Sequence, residues 1–320
     1  MRRSSLLARL ITILVDVVLA PLAIGLLATG GTPWLAGAFQ YAGSGVDLAA
    51  LAGPILVQAL AIALLVIVVL TAIWSSAGLI AVGLLSIVPL TVALSPSLLL
   101  SVYRAPLPRE WLDALSYGLP LLLLPPLGMM GVVAAIVRRR PEPRGAALGA
   151  VGILLAPVLL AGGAWLLLWG IGRGMLLAMQ QFRFDILPDA IGAVLLGVLL
   201  LLAGVGTTRW SPFALLLPAV ALIAVTAVVA FPTAGFSVYG MLPREMFTAL
   251  PAVLLLGAGV AAAVVFLAFT AVLLRVRAQS RRSPARLDDP RSAPYGAYPQ
   301  QTPPYPPGQY PPATPYPPTS

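Results

Sequence analysis

The chain has no cysteine and no histidine, and all 19 of its basic residues are arginine. Without cysteine there is no disulfide, thiolate nucleophile or thiolate metal site. Without histidine the commonest general base and metal ligand is gone, and without lysine no Schiff base can form. Charged residues of both signs make up only 9% of the chain. No phosphate-binding loop, dinucleotide fingerprint, zinc-ligand spacing or nucleophile elbow occurs. The reading is a non-enzymatic protein with no catalytic residues, no cofactor and no metal. The net charge of +9 sits on the flanks of apolar segments and does not imply a nucleic-acid partner. Arginine without lysine, amid abundant alanine, glycine and proline, suggests a GC-rich bacterial genome.

What the chain does have is apolar length. Hydrophobic residues make up 60% of it and the mean hydropathy is +0.99, the composition of a polytopic membrane protein. About 20 apolar residues are needed to cross the hydrocarbon core as a helix. That rule gives eight spans, at residues 6–28, 50–73, 76–98, 114–137, 146–171, 188–206, 211–232 and 248–274. Only helices satisfy their own backbone in lipid, so an all-α bundle follows, with the bilayer as its first partner.

The chain also repeats itself. Ser101-Val102-Tyr103 and Leu107-Pro108-Arg109-Glu110 return as Ser237-Val238-Tyr239 and Leu242-Pro243-Arg244-Glu245, at offsets of 136 and 135. At 136, Trp74-Ser75 matches Trp210-Ser211, Pro96 matches Pro232, and Leu19-Ala20-Pro21 matches Leu155-Ala156-Pro157; at 135, Ala114-Leu115 matches Ala249-Leu250. Repeats are sought first because they decide the fold. Residues 1–138 and 139–277 therefore read as two copies of a four-helix unit. An even number of spans makes the repeats parallel, related by a pseudo-twofold axis along the membrane normal. Arg2, Arg3 and Arg9 before an apolar run resemble a signal peptide. The match of that run to the fifth span favours a retained helix instead.

With the N-terminus inside, 14 of the 19 arginines fall on the cytoplasmic side, which by the positive-inside rule places both termini in the cytoplasm. The expected location is a bacterial inner membrane. Residues 278–320 are polar, then rich in proline and tyrosine, and read as a disordered cytoplasmic tail favouring polyproline II. Pro304, Tyr305, Pro307, Tyr310 and Tyr316 are its candidate docking residues for a cytoplasmic protein partner.

Three sets of residues stand out elsewhere. Asp16 falls within the first span, where an ionisable group is costly and is a functional candidate by default. Its counterpart in the second copy is Gly152, and a protonated Asp16 is placed to hydrogen-bond either Gln58 in the second span or a backbone carbonyl of that next helix. Arg109, Glu110, Arg244 and Glu245 form a candidate outer-face site for an anionic headgroup or a protein loop, should the two copies meet near the axis. Pro108 and Pro243 suit a first helical position, and the glutamates then complement the helix dipole at the start of the fourth span of each copy. Asp185 and Asp189 share a face only if their segment is helical, which Pro188 opposes. Asp47, in the first outer loop, resembles in position alone the acidic residue that polytopic lipid-linked glycosyltransferases carry there.

Two functions follow as expectations. One is a membrane scaffold or accessory subunit that recruits partners through its tail. The other is a transporter or lipid-handling protein with a path for lipid or hydrophobic cargo between the repeats.

Overall fold

The computed structural model describes residues 6–40, 52–139, 146–182, 184–230 and 242–285. Every regular element among them is helical. In chain order these are α1 (Leu6–Gln40), α2 (Ala52–Thr71), α3 (Ala77–Leu85), α4 (Ile87–Leu94), α5 (Pro96–Tyr103), α6 (Arg109–Ser116) and α7 (Leu119–Arg139). Next come α8 (Ala146–Ile171), α9 (Leu177–Gln181), α10 (Pro188–Gly206), α11 (Leu216–Ala230), α12 (Met246–Leu255) and α13 (Ala258–Ala285).

Among the described residues eight segments are long and apolar enough to cross a bilayer: Leu6–Ala36, Ala52–Thr71, Ala77–Leu94, Leu119–Arg139, Ala147–Gln181, Pro188–Arg209, Pro212–Ala230 and Ala258–Gln279. Large apolar side chains such as Leu14, Leu56, Leu154 and Val220 point outward, as they do toward lipid, where no hydrophobic cost opposes exposure. α1 runs through Pro21 and Pro33 without ending, a tolerance characteristic of membrane helices. Its threonines satisfy themselves: Thr29 and Thr32 donate to the carbonyls of Gly25 and Ala28, four residues back.

Two expected spans are corrected. The fourth and eighth do not begin at residues 114 and 248. Each is preceded by a separate short helix, α6 or α12, closed by a glycine with positive φ. Gly118 has φ 79° and Gly257 has φ 93°, a region where a side chain costs energy and glycine does not. Gly118 N–H donates to Leu115 O and Gly257 N–H to Leu254 O, both at 3.0 Å, closing the short helix before α7 or α13 begins. The Leu-Pro-Arg-Glu motifs therefore start short helices rather than membrane spans. The third span is also divided, at Ser86 between α3 and α4, where the Ser86 hydroxyl donates to Gly83 O.

Packing follows the small residues. α1 lies along α2, α8 along α10, and α3 crosses α7. At that last crossing Gly83 and Gly128 face each other backbone to backbone: a Cβ on Gly83 would lie 2.6 Å from Gly128 Cα. α7 then packs against α10, so one apolar core runs from Leu27, Leu65 and Leu79 through Met130 to Leu167, Val205 and Phe269.

Candidate functional site

Among the described residues the most buried acidic group is Asp16, fully enclosed on α1. α2 ends beside it, and Thr71 Oγ1 is placed to donate to Asp16 Oδ2 at 2.7 Å and to Val68 O at 2.7 Å. α3 begins beside it, and Gly78 leaves the space the carboxyl group fills; a Cβ there would overlap Asp16 Oδ2 and lie 2.6 Å from Thr12 O. Asp16 Oδ1 is buried with no hydrogen-bond partner. No salt bridge reaches Asp16 among the described residues.

Gln58, one of the two partners expected for it, bonds elsewhere. Gln58 Nε2 donates to Leu255 O at the end of α12, 3.3 Å away. Thirteen residues separate Gln58 from Thr71 on α2, about 20 Å of helix at 1.5 Å per residue. The two polar side chains of the expected pair thus serve opposite ends of α2. Asp16 holds the α1–α2–α3 junction, whereas Gln58 ties α2 to the short helix before α13.

The end of the bundle holding Asp16 has a set of paired hydrogen bonds. Thr71 Oγ1 reaches Val68 O, and Thr207 Oγ1 donates to Gly204 O, each at 2.7 Å. Ser75 Oγ accepts from Ala77 N–H, and Ser211 Oγ from Phe213 N–H, at 3.2 and 3.4 Å. Arg138, near the end of α7, donates to Ala72 O. Arg277, on α13, donates to Thr208 O and Arg209 O at 3.2 and 3.1 Å. In each case an arginine from α7 or α13 reaches carbonyls just beyond the C-terminal end of α2 or α10, where the helix dipole favours a cation. Where Asp16 meets Thr71, Gly152 faces Thr207 O instead, at 3.2 Å from its Cβ position.

At the opposite end, the four motif residues do not assemble. Arg109 and Arg244 are exposed, and Glu110 and Glu245 half-buried. No hydrogen bond or ion pair joins the two motifs among the described residues. Pro108 precedes α6 instead of opening it, and its carbonyl accepts from Trp111 and Leu112 N–H; Pro243 O accepts from Met246 and Phe247 N–H in the same way. Glu110 lies in the first turn of α6 as expected, whereas Glu245 lies just before α12. The contacts here are packing ones: Trp111, the residue after the first motif, sits against Gly25 on α1, and the Glu245 carbonyl lies against Gly172, where α8 widens into a π-helical turn at Gly172–Leu176. Asp189 opens α10 and pairs with Arg173, which also lies 5.6 Å over the Trp169 ring. Asp185 stands before that helix, so the two aspartates do not share a helical face. Asp47 and the tail residues Pro304, Tyr305, Pro307, Tyr310 and Tyr316 lie outside the described residues.

A further polar cluster had only a partial signal in the chain. Tyr103, in the repeated Ser-Val-Tyr triplet, donates to Asp113 Oδ1 at 3.0 Å, and its oxygen lies 3.0 Å from Ser116 Oγ. This joins α5 to α6 outside the eight spans. Burial and the neighbouring Asp113 charge push the Tyr103 phenol up to about 12, against the lowering effect of the Ser116 hydrogen bond. A phenol raised above its unfolded value near 10 stabilises the fold fully below pH 10, and that contribution is lost as pH climbs through about 12. Alkaline titration followed by phenolate absorbance is expected to show a late component near pH 12 that Tyr103→Phe removes. An unchanged curve in the variant would place the delay elsewhere.

Comparison with protein-family models, curated proteins and solved structures finds no match to this chain.

Proposed function

We propose that this protein is a non-enzymatic membrane scaffold or accessory subunit, built by duplication of a four-span unit and recruiting partners through residues 278–320. The observation that carries this reading is the continuous apolar core across both halves, where a transport path between repeats would have to run. Backbone closes on backbone there: a Cβ on Gly31 of α1 would come 2.9 Å from the carbonyl of Leu256, just beyond α12. Among the polar side chains within the spans, Gln58 and Thr71 tie helices together, and Thr29, Thr32 and Thr270 bond back to their own helix.

The paired hydrogen bonds support the duplication. Those of Thr71 and Thr207 and of Ser75 and Ser211 recur at 136 residues, and those of Pro108 and Pro243 at 135. From the positive-φ glycines onward the spacing is 139, for Gly118 and Gly257 and again for Arg138 and Arg277. On this reading the second copy carries four extra residues around its short helix. The arginine distribution supports cytoplasmic termini in a bacterial inner membrane, with the Pro/Tyr-rich segment presented to cytoplasmic proteins.

The test is mild-detergent co-purification from the native membrane. Full-length protein is compared with a version ending at Arg282 and with the triple variant Tyr305→Ala, Tyr310→Ala, Tyr316→Ala. A defined partner set held by the full-length chain is expected to disappear from both. The same partners on all three would remove the tail from the account. Stoichiometric lipid with no tail-dependent protein would move the assignment to lipid handling between the repeats.

A further inference from the structure

We propose that Asp16 is a proton-binding site: it carries a proton on Oδ2 and donates it to Thr71 Oγ1. The argument is a count of protons. A threonine hydroxyl has one proton and two lone pairs. Thr71 Oγ1 lies 2.7 Å from both Asp16 Oδ2 and Val68 O, full-strength distances for O–H···O bonds. One proton shared between two acceptors lengthens both contacts, so two short bonds need two protons.

Elsewhere in the chain this hydroxyl geometry has a consistent use. Thr207, Thr208 and Thr12 each donate to the carbonyl three residues back, at 2.7, 2.6 and 2.9 Å. Thr207 does so with Gly152, not a carboxyl group, beside it. Thr71 spends its proton in the same way on Val68 O, which leaves a lone pair facing Asp16. A carboxylate would oppose that lone pair with another; a carboxylic acid completes the chain Asp16 Oδ2–H to Thr71 Oγ1–H to Val68 O.

The surroundings agree. Asp16 is fully buried and Oδ1 has no partner; an isolated buried charge is far costlier than one unpaired oxygen of a neutral acid. Around it α2 and α3 contribute no charged side chain. On α1 itself Arg9 lies two turns earlier. On α7 Arg138 is directed to Ala72 O and Arg139 follows it. α6, which carries Arg109, Glu110 and Asp113, meets α1 through Trp111 at Gly25, nine residues beyond Asp16, and α12 has no charged residue. No salt bridge to Asp16 offsets its charge among the described residues. Loss of the proton would turn Asp16 from donor to acceptor and pull the Thr71 hydroxyl away from Val68 O, so proton occupancy sets the hydrogen bonding where α1, α2 and α3 meet.

The experiment is infrared spectroscopy of the full-length protein in phosphatidylcholine–phosphatidylglycerol vesicles at neutral pH. A carboxylic-acid C=O band, distinct from carboxylate bands, is expected in the wild type and absent from Asp16→Asn. Thr71→Val is expected to keep the band and raise its frequency, because the acid loses its acceptor. Should Asp16→Asn fail to fold, Asp16→Glu is expected to move the band. A wild type with no acid band, a band surviving Asp16→Asn, or one unmoved by both Thr71→Val and Asp16→Glu would overturn the assignment.

Discussion

Gly128→Leu is expected to abolish the folded protein, while Gly192→Leu, also in a membrane span, leaves it close to wild type. Gly128 faces Gly83 where α3 crosses α7, and the obstructing atoms are backbone, with Gly83 N only 3.1 Å from a Cβ on Gly128. No rotamer change relieves such a contact, so the helices must part. α7 is the most buried of the eight spans and packs against α1, α3 and α10, so parting one contact disturbs the rest. A single methyl group at such a site costs about 1–3 kcal/mol as overpacking, and leucine exceeds anything the crossing can absorb. Nothing lies within 4 Å of a Cβ at Gly192, where leucine gains helix propensity and meets lipid. The comparison is read from the monodisperse fraction on size exclusion and from thermal unfolding of the survivors. Equal behaviour of the two leucine variants would mean the α3–α7 crossing is not close.

Gly257→Val is expected to be the next most damaging change, and its cost divides into two parts. The first is conformational. At φ 93° an L-residue pays roughly 1–2 kcal/mol in the left-handed region, and a β-branched one is a marked outlier there. The second is steric: a Cβ would meet Gln58 Nε2 at 3.0 Å and Leu27 Cδ2 at 3.1 Å, pushing aside the amide that holds Leu255 O. Losing that hydrogen bond costs about 0.5–1.5 kcal/mol. Gln58→Ala alone should show the second part only. Combined with Gly257→Val it should destabilise by less than the sum, since the displaced amide is already gone. Thermal unfolding of the four proteins measures this. Strict additivity would show that Gly257 and Gln58 do not share the contact, and a neutral Gly257→Val would remove the need for a left-handed hinge before α13.

Some of this architecture was determined by the sequence alone, because it depends on properties local to each segment. Bilayer thickness sets span length, so apolar runs of about 20 residues announced the eight crossing helices without knowledge of their neighbours. Pro188 marked the start of α10 for the same reason, and so separated Asp185 from Asp189. Asp16 was visible as a costly group in an apolar run. Gly118 and Gly257 were less legible: composition carried the apolar pattern straight through them, and only the backbone, turning to positive φ, split the short helices from α7 and α13. Which groups meet was decided by tertiary structure. Asp16 and Gln58 looked like partners because both are rare polar groups on adjacent helices, yet helix crossing put Thr71 and Gly78 beside Asp16 and sent Gln58 to Leu255. Ser116 and Asp113 gave no sign of gathering around Tyr103 until α6 folded back beside α5. Each is a contact between side chains on different helices, fixed by rotation, depth and crossing geometry, which the local pattern of apolar residues leaves free.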